Sequence, residues 1–176
     1  MPDDVTVYTI GHSVQPQEAL VDSLLRASIE LLVDVRQYPA SRRNPQFNAE
    51  ALARTLPEHG IEYRHMRVLG GRREPSPDST NLALRNDQFR GYADYMATPE
   101  FDAGIEALIE LAQERRTAVM CAEAVPWRCH RSLLADALLA RGVAVEHLIG
   151  ASEPRPHTLS PHARIEAGRV TYPALL

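Results

Sequence analysis

Short apolar runs rich in β-branched residues alternate along this chain with longer stretches whose apolar residues recur at helical spacing, and no other feature constrains the fold as strongly. Val5 to Ile10, Glu30 to Val35, Ile61 to Val68, Thr117 to Cys121 and Val143 to Ile149 read as strands. Pro16 stands where a helix can begin, and Leu20, Leu24 and Leu25 give that helix an apolar face. Asn48 is a candidate cap for a helix from Ala49 to about Glu58, with Gly60 as its stop. Phe89 to Met96 predicts a short helix. Thr98, Pro99 and Glu100 open a longer one, reaching about Arg116, with Phe101, Ile105, Leu108, Ile109 and Leu111 on its inner face. A last helix is expected to begin near Trp127 or Arg128 and to end at Arg141-Gly142. Strands alternating with helices predict an α/β fold: a mostly parallel sheet covered by helices on both faces.

Two segments break the pattern. Gly70 to Arg85 carries Gly-Gly, two prolines and Ser-Asp-Ser-Thr-Asn, so it predicts a long loop and a candidate lid. Residues 152–168 read as an irregular tail, after which Arg169 to Tyr172 predicts a small edge strand. With 176 residues, no internal repeat and no linker, the reading is one domain over residues 1–176. No stretch is apolar enough to span a membrane, and the start, Met1 to Asp4, is polar and acidic, unlike a secretory signal. The expected location is the cytoplasm, and Cys121 and Cys129 are therefore expected as free thiols, ligands or a redox pair rather than as part of a disulfide framework.

A formal net charge of −4 argues against a broadly basic nucleic-acid coating. The basic residues are all arginine, and eight of them (36, 42, 43, 54, 64, 67, 72 and 73) fall in one segment against only Glu50, Glu58 and Glu62. The planar guanidinium suits phosphate or carboxylate. A small anionic ligand or a nucleic-acid component is thus the expected partner, with no membrane.

In an open α/β sheet, ligands sit outside the carboxyl ends of the strands. Those ends deliver His12 and Ser13, then Asp34 and Arg36, then His65 and Arg67, then Cys121 and Glu123, and last His147. Arg36 either turns back onto Asp34 and fastens the sheet or faces a ligand anion; the sequence favours neither. The densest signal runs from Cys121 to Arg131. Cys121 closes a strand, Cys129 is expected in the first turn of the next helix, and Arg128 and Arg131 favour a thiolate or a bound anion there. His130 is a candidate base, anion donor or packing residue, and Trp127 a pocket wall or a core anchor. The candidate catalytic residues are Cys121, Cys129, His12, His130, Glu123 and Asp34; the candidate substrate-binding residues are Arg36, Arg42, Arg43, Arg131, Ser13 and Trp127. The spacing of the two cysteines is not that of a zinc knuckle, so no metal site is expected, and no cofactor is implied. The absence of Gly-x-Ser-x-Gly, Walker A and Gly-x-Gly-x-x-Gly patterns removes most support for serine-hydrolase, ATPase and dinucleotide readings.

The motifs Thr9-Ile10-Gly11-His12-Ser13, Leu32-Val33-Asp34-Val35-Arg36, Pro39, Ser41 through Phe47, Gly60-Ile61-Glu62-Tyr63, Leu69-Gly70-Gly71-Arg72, Phe89-Arg90-Gly91-Tyr92-Ala93, Met120-Cys121-Ala122-Glu123 and Cys129-His130-Arg131 occur in this order. Together they resemble the DUF488 family of bacterial and archaeal proteins. The resemblance implies an α/β domain with a rhodanese-like character in its Asp-Val-Arg strand end, and it implies no reaction. Three functions stay open: an enzyme acting on an anionic, nucleotide- or phosphate-containing substrate through the Arg/His/Cys cluster; a non-catalytic nucleic-acid or phospho-ligand binding module; and an interaction protein whose cluster is a structural polar network.

Overall fold

A computed structural model describes residues 4–174. Met1 to Asp3, part of the polar start read against a secretory signal, lie outside the described residues. The central sheet contains β1 (Thr6–Gly11), β2 (Leu31–Asp34), β3 (Glu62–His65), β4 (Thr117–Cys121) and β5 (Ala144–Leu148), all parallel, with the short β6 (Arg155–Pro156) antiparallel to β5 at one edge. Its spatial order is β3-β2-β4-β1-β5-β6. The helices are α1 (Gln17–Arg26), α2 (Ala49–Thr55), α3 (Asp87–Tyr95), α4 (Pro99–Glu114) and α5 (Arg131–Ala140).

Side chains alternate across the sheet, so each strand feeds two cores. Tyr8, Ile10, Leu32, Ala118, Met120 and Leu148 pack on one face with Leu20 and Leu24 of α1 and Leu52 of α2. Val7, Leu31, Val33, Val119 and Val145 pack on the other with Tyr92 of α3, Ile105 and Leu108 of α4, and Leu134 and Leu138 of α5. The connection leaving β4 thus runs over the face opposite to those leaving its neighbours β1 and β2. Such a change of direction opens a crevice at the strands' carboxyl ends.

Several boundaries depart from expectation for local reasons. β3 stops at His65 because Met66 to Leu69 turns into a 3-10 segment. Asn48 occupies the position before α2, but its Oδ1 accepts from the N–H of Ser41 (2.7 Å) and makes no cap bond. Asn86 does cap α3, accepting from the N–H groups of Gln88 and Phe89, and so starts that helix earlier than its apolar residues suggest. Thr98 caps α4 as expected, accepting from the N–H of Phe101. The last helix begins at Arg131, because Pro126–Arg128 forms a separate 3-10 turn; Cys129 is consequently extended (φ −144°) and lies before the helix, not in its first turn.

The tail is less irregular than expected. Arg155–Pro156 joins the main sheet, and β7 (Arg164–Glu166) pairs with β8 (Arg169–Thr171) as a separate hairpin, so β8 is not an edge of the central sheet. The 70–85 segment has no helix or strand but is fastened along its length. Asp94 on α3 accepts from the Ser76 N–H (2.8 Å), the Ser79 hydroxyl (2.7 Å) and the Asn81 amide (2.7 Å), while Asn81 in turn accepts from the N–H of Tyr172 (2.9 Å). Gly91 lets α3 press on it: a Cβ there would lie 1.9 Å from the Arg73 carbonyl oxygen. Among the described residues no helix is long and apolar enough to cross a membrane.

Candidate functional site

Parallel pairing brings the strand ends to one rim, with Gly11 opposite Cys121 and Asp34 opposite both Met120 and His65. Strand alternation then sorts the rim by face. Asp34 and Arg36 continue the Leu32 side, toward α1 and α2, whereas Cys121 continues the Val119 side, toward α3 to α5.

On the α1/α2 face sits a buried ionic network. Asp34 Oδ1 accepts from the Arg36 backbone N–H (3.1 Å) and Nε (2.9 Å), and Oδ2 accepts from Arg36 Nη2 (2.6 Å) and the Tyr63 hydroxyl (2.5 Å). Arg36 Nη2 also donates to the Phe47 carbonyl (2.7 Å), and His65 Nε2 donates to the Arg36 carbonyl (2.7 Å). Of the two roles open to Arg36, this geometry supplies the fastening of the sheet to the 45–47 turn, although the residue also lines a cavity. His12 stacks on Phe47, donates from Nδ1 to the Ser13 carbonyl (2.7 Å) and accepts at Nε2 from Arg36 Nη1 (3.3 Å). Burial, aided by the Arg36 charge, lowers its pKa, so the imidazole is neutral with both nitrogens engaged.

On the opposite face lie the thiols. Cys121 Sγ and Cys129 Sγ are 2.8 Å apart; Cys121 is buried and Cys129 partly open. The backbone N–H of Arg131, at the start of α5, donates to Cys129 Sγ (3.3 Å). Arg131 is fully buried. Its Nη2 donates to the carbonyls of Glu123 (3.2 Å) and Ala124 (3.4 Å), while Nε and Nη1 meet no hydrogen-bond partner. Cys121 Sγ points at the same Glu123 carbonyl (3.6 Å), so guanidinium and sulfur converge on one oxygen. No carboxylate pairs with Arg131 among the described residues. The two thiols titrate as a pair. The contact with Cys129, and then the Arg131 charge, lower the pKa of Cys121; burial, and then Cys121 itself, raise that of Cys129. Gly11 makes this approach possible, since a Cβ on it would fall 1.5 Å from the Glu123 oxygen.

His130 packs on Tyr92 and donates from Nε2 to the Val35 carbonyl (3.0 Å), and burial pulls its pKa down to about 4. A cavity of about 250 Å³ at the rim is lined by Arg36, Arg72, Cys121, Glu123, Arg128, Cys129 and His130. A neighbouring one of about 530 Å³ is lined by His12, Ser13, Asn44, Trp127 and again Glu123 and Arg128. Ser13 holds a left-handed conformation (φ 54°), and its N–H donates to the Ala122 carbonyl (2.9 Å). Trp127 is 60% exposed, a cavity wall rather than a core anchor. Arg42 and Arg43 are exposed and line neither cavity. Among the described residues no group of three or more His, Cys, Asp or Glu side chains is placed to hold a metal.

The model of the domain of unknown function DUF488 matches residues 16–138. The chain belongs to the DUF488 family. No curated protein and no solved structure matches it. Most of the rim lies within the matched DUF488 span, whereas His12 and Ser13 precede it.

Reading strand ends missed two groups. Arg72 reaches the thiol cavity from the 70–85 segment, and its guanidinium and that of Arg67 flank the exposed Tyr38 ring, 5.5 and 5.4 Å from its centre. A linear hydrogen-bond chain also runs from Thr9 through His147 and His157 to Asp136 and Tyr172. Of its members only His147 was visible as a strand end; nothing in the local sequence pairs it with His157 of the tail.

Proposed function

We propose that this DUF488 protein is a thiol-dependent enzyme acting on a small anionic substrate, with Cys121 and Cys129 as its reactive pair. The observation that carries the reading is the Arg131 guanidinium, buried without a carboxylate beside two sulfurs 2.8 Å apart. A buried cation needs a counter-charge, and these thiols, on both of which the Arg131 charge acts, are able to supply one. The carboxyl-rim cavity they share with Arg72 and Arg128 suits an anion.

The chemistry that fits is thiol–disulfide exchange. Cys129, the more open sulfur, attacks one sulfur of a substrate disulfide as its proton passes to the Cys121 thiolate 2.8 Å away and on to the departing group; the S–S bond breaks and one substrate thiol leaves. Cys121, as thiolate, then attacks the Cys129 sulfur of the mixed disulfide and expels the second substrate thiolate. The substrate gains two electrons, the cysteines lose two, and an external dithiol reductant restores the pair. Arg131 holds the negative charge within the pair, and Arg72 and Arg128 hold the substrate anion.

The test uses an anionic aromatic disulfide, 5,5′-dithiobis(2-nitrobenzoate), against cationic cystamine. Expected are faster reaction with the anion, two equivalents of released thiolate and an internal disulfide by mass. Cys121→Ser should stop at the mixed disulfide. Arg131→Met should slow the reaction about tenfold at neutral pH and little at high pH, where the thiols ionise unaided. Two unreactive thiols in the folded protein, or equal rates with both disulfides at low salt, would overturn the proposal.

A second reading rests on Tyr38. Its exposed ring beside two guanidinium groups offers a stacking surface for a nucleobase, with phosphate on the arginines. A salt-sensitive affinity for short single-stranded oligonucleotides that Tyr38→Ala abolishes would favour this binding-module reading.

A further inference from the structure

Beyond the thiol rim, at the β5 edge, a third cavity of about 410 Å³ opens beneath Trp127. Its walls are apolar: Leu84, Phe89, Trp127, Leu133 and Ile149. Its floor is polar but closed. The His157 Nε2–H donates to Asp136 Oδ1 (2.7 Å), His147 Nε2 and His157 Nδ1 share a hydrogen bond (2.8 Å), and so do the Thr9 hydroxyl and His147 Nδ1 (2.5 Å). Every ring nitrogen is thereby engaged. Asp136 also accepts from the Ser160 N–H (3.2 Å) at Oδ1 and from the Tyr172 hydroxyl (2.7 Å) at Oδ2. The floor therefore presents ring faces and edges over a carboxylate bonded from beneath, and Ser132, Thr158 and Ser160 complete the lining. One other charged side chain lines the cavity, Arg155, which is exposed and has no acidic partner among the described residues.

We infer that this cavity binds a small apolar monoanion, an aliphatic or aromatic carboxylate or sulfonate whose body lies against Phe89, Trp127, Leu133 and Ile149 and whose charge meets Arg155. The volume falls in the range of roughly 300–1,000 Å³ that holds small ligands, and an apolar box with one oriented charge is the usual form of such sites. A cation would face Arg155; a neutral molecule would leave that guanidinium unused. The inference is independent of thiol chemistry, because neither cysteine lines the cavity.

Trp127 is the chain's one tryptophan and also walls the His12 cavity, so its emission is read together with variants at Arg155 and Ile149, which line this cavity and not that one. The full chain is titrated with decanoate, decanol and decylammonium below their aggregation concentrations, with calorimetry in parallel. Expected is a saturable Trp127 shift with decanoate, affinity about fivefold weaker in Arg155→Gln, and a preference for decylammonium in Arg155→Glu. Ile149→Phe should abolish binding by filling the space. The same titrations in a Cys121→Ser/Cys129→Ser double variant should be unchanged, which separates this site from the thiol reading. Decanol binding as tightly as decanoate, no saturable shift, or an affinity indifferent to Arg155 would overturn the inference. The Arg155 variants alter an exposed side chain, so a misfolded Ile149→Phe would not leave the outcome open.

Discussion

Replacing Asp34 with asparagine removes a charge while keeping the shape of the side chain. Asp34 is fully buried and accepts four hydrogen bonds. In the variant, the remaining oxygen can still serve the Arg36 backbone N–H and Nε, but the new NH₂ faces Arg36 Nη2 and the Tyr63 hydroxyl, both of which donate to Asp34. Tyr63 can rotate its proton away. Arg36 cannot, and its buried charge loses its counter-ion. One lost charge-assisted bond costs about 1.5–3 kcal/mol, and stripping one partner from a buried ion pair costs about 3–5 kcal/mol in total. For a chain of this length that is a drop in Tm of about 6–20 °C. Tyr63→Phe removes the single 2.5 Å bond and should cost less, about 1.5–3 kcal/mol. The assay is urea denaturation at neutral pH, with a double-mutant cycle of Asp34→Asn and Arg36→Gln to isolate the pair. A loss below about 1 kcal/mol for Asp34→Asn with an unchanged urea slope would refute the view that this pair fastens β2 to the 45–47 turn.

Two further outcomes follow from the same packing. Gly11→Ala places a Cβ on the Glu123 carbonyl; it should destabilise by about 3 kcal/mol or more, measured by urea denaturation, and disturb the reactivity of both thiols, measured by alkylation rate. Burial lowers the pKa of His130 from 6.5 to about 4 and of His147 to about 3, with the neighbouring His157 assisting the latter. The unfolded chain thus binds more protons than the folded one between these limits, so stability is full above pH 6.5 and falls as the pH drops below it, the His130 share being lost by about 4 and the His147 share by about 3. His130 alone contributes on the order of 3 kcal/mol to this loss. Urea midpoints measured from pH 7 to pH 4 should fall accordingly, and His130→Asn should flatten the profile.

The fold was legible because periodicity is local. The apolar runs around Val7, Leu32, Val119 and Val145 need only their own neighbours to declare a strand, and parallel connection then forces their carboxyl ends to one rim. Candidate residues could be named from that rule alone. Sequence could not say which face of the sheet each would join. That depends on the parity of each residue within its strand and on which helices cover which side. Asp34 and Cys121 both close strands, yet they end up in separate networks across the sheet plane. Turn geometry was equally hidden: Cys129 misses the helix by two residues because Pro126 starts its own short turn.

From the sequence by itself came the α/β class, the chain order of strands and helices, and the gathering of histidine, arginine and cysteine at one end of a parallel sheet, since spacing and residue type carry all of these. Tertiary structure alone decided that Arg131 lies buried without a carboxylate, that Cys121 meets Cys129, and that His157 of the tail joins His147. Each is a contact between groups brought together by packing, where burial sets the cost of an unpaired charge, and no local pattern records how deep a side chain will lie.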